Sequence, residues 1–422
     1  MTLQISFFFY LLLVIGIGFY ASRRPLQTKA DIHLAGRDAG VWTAALSSSA
    51  STESGFLLLG MVGMGYKYGA NALWIVPAGI LGYLLNWLVV GPRLNVKCKN
   101  LDAVTVPEMI FASTGSSRIS RLASVLAAVW SIIFLVAYVS AQFYAAGKSI
   151  SVQFSLEYNW SLLIGAGVVT AYAVMGGFRA VSWTDNLQAG MMFLALVVLP
   201  FVVVSGVGGI VAMIDSLDKI DKSLIDPFAG ETGWGILMAV LPWLMLGLAY
   251  PGQPHAVARL MSMENPDNAR KSAIVAITWF ITVYTGAVVL GMAARVGYSE
   301  IQQIAADPEQ ILPVLAVKVL PGILAGISVA AIIAAISSTA DSTLISAASS
   351  LYRDLVSPLK IRTKISEATF NRLIILAIGL LAAFLTMGEK SPVFEVVLYA
   401  WSGLGASIGP SVLYISLIER PK

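Results

Sequence analysis

An all-α protein that crosses a membrane eleven times is the fold class this sequence predicts, and three observations predict it. Its 422 residues are 57% hydrophobic and only 12% charged, with a mean hydropathy of +0.80, whereas about a quarter of a soluble domain is charged. Apolar stretches of bilayer-spanning length recur along the whole chain, so the lipid-embedded bundle is the body of the protein. Two of those stretches are interrupted, at matching places in two halves. The 37 Gly would weaken soluble helices, but membrane helices use Gly for close packing and for deliberate breaks.

The first span, 4–21, lacks a basic leader and a small-residue cleavage site and runs straight into Arg23 and Arg24, so it reads as a retained helix and not a signal peptide. The second, 41–66, is apolar on both sides of the polar run 47–55 (SSSASTESG). Uninterrupted apolar runs give 73–92, 122–147, 158–175 and 187–211, the last two separated by 176–186. The seventh, 234–253, ends in 241–255 (LPWLMLGLAYPGQPH), where Pro242, Gly247, Pro251, Gly252 and Pro254 cluster. Four more follow at 272–294, 322–346, 370–387 and 396–417. Setting the first helix and its loop (1–30) aside leaves five spans in 31–212 and five in 213–422, each half opening with an interrupted span. Interrupted helices at corresponding places in two halves are the sequence pointer to a secondary transporter with its site near the bilayer midplane.

Alternating eleven spans from an outside amino end puts 20 of the 27 basic residues in cytoplasmic loops: the groups Arg23–Arg37, Arg93–Arg121 and Arg353–Arg372, together with Arg179, Arg259, Arg270, Lys271, Arg420 and Lys422. The outside loop 212–233 instead carries Asp215, Asp218, Asp221, Asp226 and Glu231. This asymmetry predicts a multi-pass plasma-membrane protein, of the bacterial inner membrane, with its amino terminus outside and carboxyl terminus inside. Its partners are then the lipid bilayer and a small solute, with no nucleic acid and no obligate protein. Basic residues confined to membrane ends give no nucleic-acid surface, and no Gly-rich phosphate loop followed by Lys and Ser/Thr is present to use ATP. The single Cys98 excludes a disulfide framework, and no nucleophile–base pair for an enzyme is evident.

Two polar clusters lie inside spans. In 47–55, seven polar residues in eight positions exceed what back-bonding of hydroxyls to their own helix explains, and an ionisable Glu53 within a span is a functional residue by default. The alternative for Glu53 is a protonated packing partner. In 334–350 (AAISSTADSTLISAASS), helical spacing puts Ala335, Ser338, Thr339 and Ser342 on one face with Asp341 beside it. Two hydroxyls and a carbonyl from this helix, with carbonyls of the first break, suit Na⁺, a hard cation that takes oxygen ligands. A small-residue packing stripe is the alternative reading there. Asp185 caps its helix or serves an ion; Tyr138 and Tyr250 sit where a small zwitterion or ring would meet them.

The ordered elements 176–180 (GGFRA) leading to Trp183, Thr184 and Asp185, then 252–261 (GQPHAVARLM), then 338–342 (STADS) give the chain its likeness: over residues 5–417 it resembles the sodium/solute symporter family, nearest to the sodium/proline branch. The resemblance implies an inverted five-plus-five helix repeat preceded by one extra helix. It implies Na⁺ as coupling ion, on the carbonyls of Ala50, Glu53 and Ala335 and the hydroxyls of Ser338 and Thr339. A second Na⁺, where one is used, would fall on Asp185, Asp341, Ser338 and Ser342. Solute contacts would fall on Ser54, Gly55, Phe56, Tyr138, Leu246, Tyr250 and Pro254. The implied activity is sodium-coupled uptake of proline or a related amino acid by alternating access. A symporter for another small carboxylate such as pantothenate, a proton-coupled carrier and a transporter-like sensor are the alternatives. The chain departs from the proline branch in having Thr52, followed by Glu53, where that branch has Asp, and Leu246 where it has Trp.

Overall fold

The computed structural model describes residues 2–24, 26–115, 117–359, 365–387 and 393–418. Within hydrocarbon a backbone must satisfy its own polar groups, and a helix does so locally. The described residues are accordingly helical; their one β-type contact is an isolated bridge between Ala39 and Met263. Basic residues Lys360, Arg362, Lys364, Arg420 and Lys422, counted above, lie outside the described residues.

The chain opens with α1 (Thr2–Ser22) and a short α2 (Lys29–Leu34), fixed by a capping box between Thr28 and Asp31. Next, α3 (Val41–Thr52) stops at Glu53, and helix resumes as a π-turn over Phe56–Met61 that feeds α4 (Val62–Tyr68). After α5 (Ile75–Leu84), a second π-turn leads into α6 (Gly91–Asn100), followed by α7 (Val106–Thr114) and the long α8 (Arg118–Phe154). The long α9 (Tyr158–Gly206) is followed by α10 (Gly209–Ile220). The second interrupted helix is α11 (Trp234–Leu248), a turn over Tyr250–Gly252, and α12 (Pro254–Met261). The remainder is α13 (Ala269–Gly297), α14 (Gln302–Ala306), α15 (Ile311–Val319), α16 (Gly322–Ser350), α17 (Glu367–Thr386) and α18 (Val393–Leu417).

Eight helical stretches among the described residues are long and apolar enough to cross a membrane. That of Gly322–Leu359 is buried over 83% of its apolar window, against 50% or less for the others, so α16 is the axis of the bundle. Its Ser- and Ala-rich sequence permits this, because small side chains let α8 and α9 approach on two sides. Outward faces are the reverse: Leu12 of α1 is 68% exposed and Phe384 of α17 is 70% exposed. Such residues are stabilised by lipid and would be penalised in water, which fits a multi-pass membrane protein.

The sequence reading divides 158–211 into two spans with a loop at 176–186, and the stretch written α9 is indeed two helices, which meet at a kink. The interruption shrinks to Gly177, with φ 59° and ψ −171°, a conformation that glycine reaches without Cβ strain. Phe178 restarts the helix at once, so Asp185 lies two turns inside the second of these helices, fully buried, and is not an N-cap.

Close backbone approach sets the second interrupted helix against α5. A Cβ on Gly247 would stand 1.9 Å from the Ala78 carbonyl oxygen, and one on Gly82 would stand 2.4 Å from that of Gly247. Gly247→Val is therefore expected to lower the stability of the detergent-purified protein by about 3 kcal/mol or more. Gly167→Ala, at a helical position with open space around it, is expected to be neutral or mildly stabilising. Equal melting temperatures for the Gly247 variant and the parent would refute the close contact.

Candidate functional site

The first interruption leaves α3 without its helical continuation at a fully buried place: residues 49–55 are all buried. Backbone groups there must find other partners. The Gly55 N–H donates to Gln142 Oε1 on α8 at 3.1 Å, and the Phe56 N–H to Ser54 Oγ at 3.1 Å. The Thr52 carbonyl accepts from Tyr138 Oη at 3.4 Å, and the Ala50 carbonyl accepts from Ser338 Oγ at 2.8 Å. Side chains of α8 and α16 thus hold the break open.

Around Ser338 the oxygens converge. Its hydroxyl is 2.8 Å from the Ala50 carbonyl and 3.0 Å from the Ala335 carbonyl, while the neighbouring Thr339 Oγ1 is buried with no hydrogen-bond partner. An orphaned hydroxyl in a well-packed interior calls for an explanation. Two carbonyls and two hydroxyls, with the Glu53 carbonyl one turn on at the end of α3, form an all-oxygen donor set without net charge. That chemistry fits Na⁺ and suits neither a thiophilic metal nor Ca²⁺, which favours carboxylates.

Beside this cluster is a narrow cavity of about 30 Å³, lined by Glu53, Phe56, Tyr138, Leu246, Tyr250 and Trp401 among others. That is room for a water or two, so a solute enters only when these walls move apart. The Glu53 carboxylate is held by three phenols: Tyr250 at 2.7 Å and Tyr83 at 3.1 Å on Oε1, and Tyr284 on Oε2. Trp401 of α18 crosses Tyr250 edge-on with ring centroids 4.9 Å apart and donates Nε1–H to the Leu246 carbonyl at 3.1 Å. Phe56 stacks on Phe394 at 5.2 Å along the same wall.

The family model for the sodium:solute symporter family matches residues 32–420. The chain belongs to that family. It is 34% identical over 430 residues to a sodium/proline symporter of Haemophilus influenzae, covering 99% of this chain and 83% of the relative. To the high-affinity proline transporter PutP of Bacillus subtilis it is 33% identical over 400 residues, covering 94% and 83%. To the osmoregulated proline transporter OpuE of the same species it is 31% identical, covering 97% and 82%. Among solved structures it matches a Na⁺-coupled sialic acid symporter in a substrate-bound outward-open state, with a TM-score of 0.80 and 20% identity over 97% of this chain and 87% of that one. A second match is Mhp1, a nucleobase-cation-symport-1 family transporter, with a TM-score of 0.60 and 11% identity over 92% and 81%. These likenesses fix the fold as that of sodium symporters. The protein performs sodium-coupled solute symport, with Na⁺ as coupling ion, and is not an enzyme.

Within this symporter, the residues assigned from sequence fall into three places. Ala50, Ala335 and Ser338 come together as described, with Thr339 next in α16 and Glu53 at the end of the α3 turn. Phe56, Tyr138, Leu246 and Tyr250 line the cavity with the Glu53 side chain; Ser54 and Gly55 instead serve the broken backbone. Pro254 lies on a separate small cavity with His33 and Phe178. Thr52, at the branch's Asp position, turns its hydroxyl back onto the Ser48 and Ser49 carbonyls at 3.0 and 3.1 Å. The aromatic surface absent at Leu246 is supplied by Trp401.

The third group holds a residue that sequence reasoning missed. Arg259, read above as a loop cation, is 1% exposed on α12. Its Nη2 lies 3.3 Å from Asp185 Oδ2 and 2.5 Å from Ser342 Oγ, and its Nε donates to Ser47 Oγ at 3.2 Å. The guanidinium carbon also sits 4.7 Å from the centre of the Phe178 ring. Ser47 bonds Asp185 at 2.5 Å, and Ser342 donates to Asp341 Oδ1 at 3.3 Å. The position assigned to a second Na⁺ thus has a tethered cation among its oxygens. Arg259 carried a signal, since it stands in the quoted motif 252–261 only five residues from the second break. Gln142, Tyr83, Tyr284 and Trp401 carried none apart from lying in spans.

Removing one member of a buried ion pair leaves the other uncompensated, at a cost of about 3–5 kcal/mol. Arg259→Gln is expected to destabilise the symporter by that amount, and adding Asp185→Asn is expected to recover part of the loss. Melting curves in detergent measure both; a double variant no more stable than the single would show that the pair does not act as a unit.

Proposed function

We propose that this chain is a Na⁺-coupled proline symporter of the plasma membrane that works by alternating access. The observation that carries the reading is the juxtaposition of Ser338 Oγ with the Ala50 and Ala335 carbonyls next to the unpartnered Thr339 hydroxyl, beside an aromatic-walled cavity. The ion enters from outside and takes oxygens from both α3 and α16, in place of the single proton that joins them in its absence. Joining the two helices fixes the break, and the break carries Glu53 and Phe56 into the solute cavity. Inward opening separates α3 from α16, dismantles the oxygen set and releases Na⁺ into a low-sodium cytoplasm. Reciprocity requires that the solute raise sodium affinity by the factor with which sodium raises solute affinity. Inward movement of each positive charge adds about 2.3 kcal/mol per 100 mV.

Several finer features belong to the same reading. Eleven spans are arranged as one extra helix in 1–30 and inverted five-helix repeats in 31–212 and 213–422, opened by α3/α4 and α11/α12. Arg259 takes up part of the position assigned to a second Na⁺, beside Asp185, Asp341 and Ser342. The amino terminus is outside. Proline as solute is supported by the names of the relatives, each about a third identical, and by the small, aromatic-walled cavity.

Proteoliposomes with an imposed inward sodium gradient are expected to accumulate labelled proline, and a potassium gradient is expected to drive none. In the double variant Ser338→Ala/Thr339→Ala, the sodium concentration for half-maximal uptake is expected to rise about tenfold or more, equivalent to about 1.4 kcal/mol or more of ion binding. A sodium curve that superimposes on the parent's would place the ion elsewhere. For orientation, Lys222→Cys in a Cys98→Ser background is expected to react with an impermeant thiol reagent applied outside intact cells; Lys222 is exposed and Cys98 is buried. Labelling only after permeabilisation would reverse the orientation.

A further inference from the structure

The described residues lining the solute cavity include one formal charge, Glu53, and no cation. We infer that the Glu53 side chain is the anchor for the substrate's ammonium group, so that the transporter selects amine-bearing zwitterions over anionic solutes of the same shape. This rests on the symport reading above and deepens it.

Four observations carry the inference. First, Glu53 is 1% exposed, yet its side chain reaches the cavity from the end of α3, where the break turns the backbone to φ −97° and ψ 72°. Second, its donors are unevenly shared. Oε1 accepts from Tyr250 and Tyr83, with Thr52 at 3.3 Å, whereas Oε2 accepts from Tyr284 alone among the described residues. A carboxylate offers about four acceptor sites, so Oε2 retains a place for one N–H from the cavity. Third, these hydroxyl donors solvate the charge without neutralising it, and a buried charge without a counter-charge is costly. Na⁺ on the carbonyls of the same turn offsets part of that cost, and a solute ammonium offsets the rest. Fourth, the walls are aromatic: Tyr250 and Trp401 cross at 4.9 Å, and Tyr138 stands edge-on to Trp401 at 6.4 Å. Ring faces attract an organic cation and favour its alkyl substituents over water. A secondary ammonium within a small ring satisfies both demands, with one N–H on Glu53 and methylenes against the rings. An anion with no amine would instead bring its charge toward Glu53 with no cationic side chain in the wall to receive it, and like charges at close quarters cost several kcal/mol.

The sequence offers a reason for the arrangement. The acid of the proline branch stands at the position of Thr52, whose hydroxyl here is folded back onto its own helix. The carboxylate one residue later reaches the cavity only because the helix ends between the two positions.

The test compares L-proline with (S)-tetrahydrofuran-2-carboxylate, which has the same ring and carboxylate but an ether oxygen in place of the ring ammonium. Both compete against labelled proline in sodium-driven proteoliposomes. In the parent the ether is expected to compete about 100-fold more weakly or worse. In Glu53→Gln proline affinity is expected to fall, with the two ligands coming within about tenfold of each other, whereas Glu53→Asp is expected to keep the preference. A folded Gln variant that discriminates as the parent does would overturn the anchor, as would a parent that accepts the ether as well as proline. If the Gln variant does not fold, parent and Asp variant decide: loss of the preference in the parent still overturns the proposal. Should the parent accumulate no proline, the proline assignment fails by itself. The anchor is then read from thermal stabilisation of the purified protein in Na⁺ by amine and oxa-isostere pairs. Stabilisation confined to amines in the parent and lost in Glu53→Gln supports the anchor, and absence of any amine preference overturns it.

Discussion

A backbone interrupted inside a membrane protein has no water to fall back on, and the gap between Thr52 and Gly55 is the constraint from which the rest of the site follows. Each freed group exposed there must be met by a neighbour. Gln142 meets the Gly55 N–H, Ser54 the Phe56 N–H, Tyr138 the Thr52 carbonyl, and Ser338 the Ala50 carbonyl. These partners come from α8, from α16 and from the break itself, so the interruption ties three parts of the bundle at one depth. The same carbonyls that need a hydroxyl donor suit an Na⁺, which makes the break at once a structural liability and an ion ligand. Its other end carries Glu53 and Phe56 into the cavity, so any change in how the carbonyls are held moves the walls that a solute touches.

Two of the three acidic side chains buried near the centre, Asp185 and Glu53, are met in different ways. Asp185 faces the guanidinium of Arg259, with Ser47 and Ser342 completing the cluster, so its charge is cancelled within the protein. Glu53 faces only hydroxyls, so its charge is solvated but left open. The first arrangement fastens α9, α12 and α16 to α3 through a cation of the protein's own, although Asp185 Oδ1 and Asp341 Oδ2 stay without a hydrogen-bond partner. The second is incomplete without a cation, which is what a site that binds and releases charged cargo requires. Low polarity in the bundle interior sharpens the contrast, since an uncompensated charge there costs far more than at a surface.

Much of this was legible in the sequence, for stated physical reasons. Polar runs in otherwise apolar helices located both interruptions, and helical spacing paired Ser338 with Thr339 on the face that meets α3. What local patterns do not carry is long-range convergence. Tyr83, Tyr284 and Trp401 read as ordinary span aromatics, and only the packing of α5, α13 and α18 around the break turns them toward Glu53 or the solute cavity. Arg259 read as a loop cation because charge counting assumes that a basic residue near a span end is in water, whereas a buried partner such as Asp185 reverses that. The two glycines at 176–177 suggested a loop; one positive φ at Gly177 was enough, and helix filled the rest, which moved Asp185 from a cap into the core.

The central claim is that Na⁺ joins the broken α3 to α16 and thereby orders the solute cavity. Hydrogen–deuterium exchange of the purified protein, compared in Na⁺ and in K⁺ at equal ionic strength, tests it most directly. Slower exchange in Na⁺ is expected at the amides of both 50–57 and 335–342, with further slowing at 50–57 when proline is added. Unchanged exchange in Na⁺, or protection confined to one of the two segments, would contradict the account.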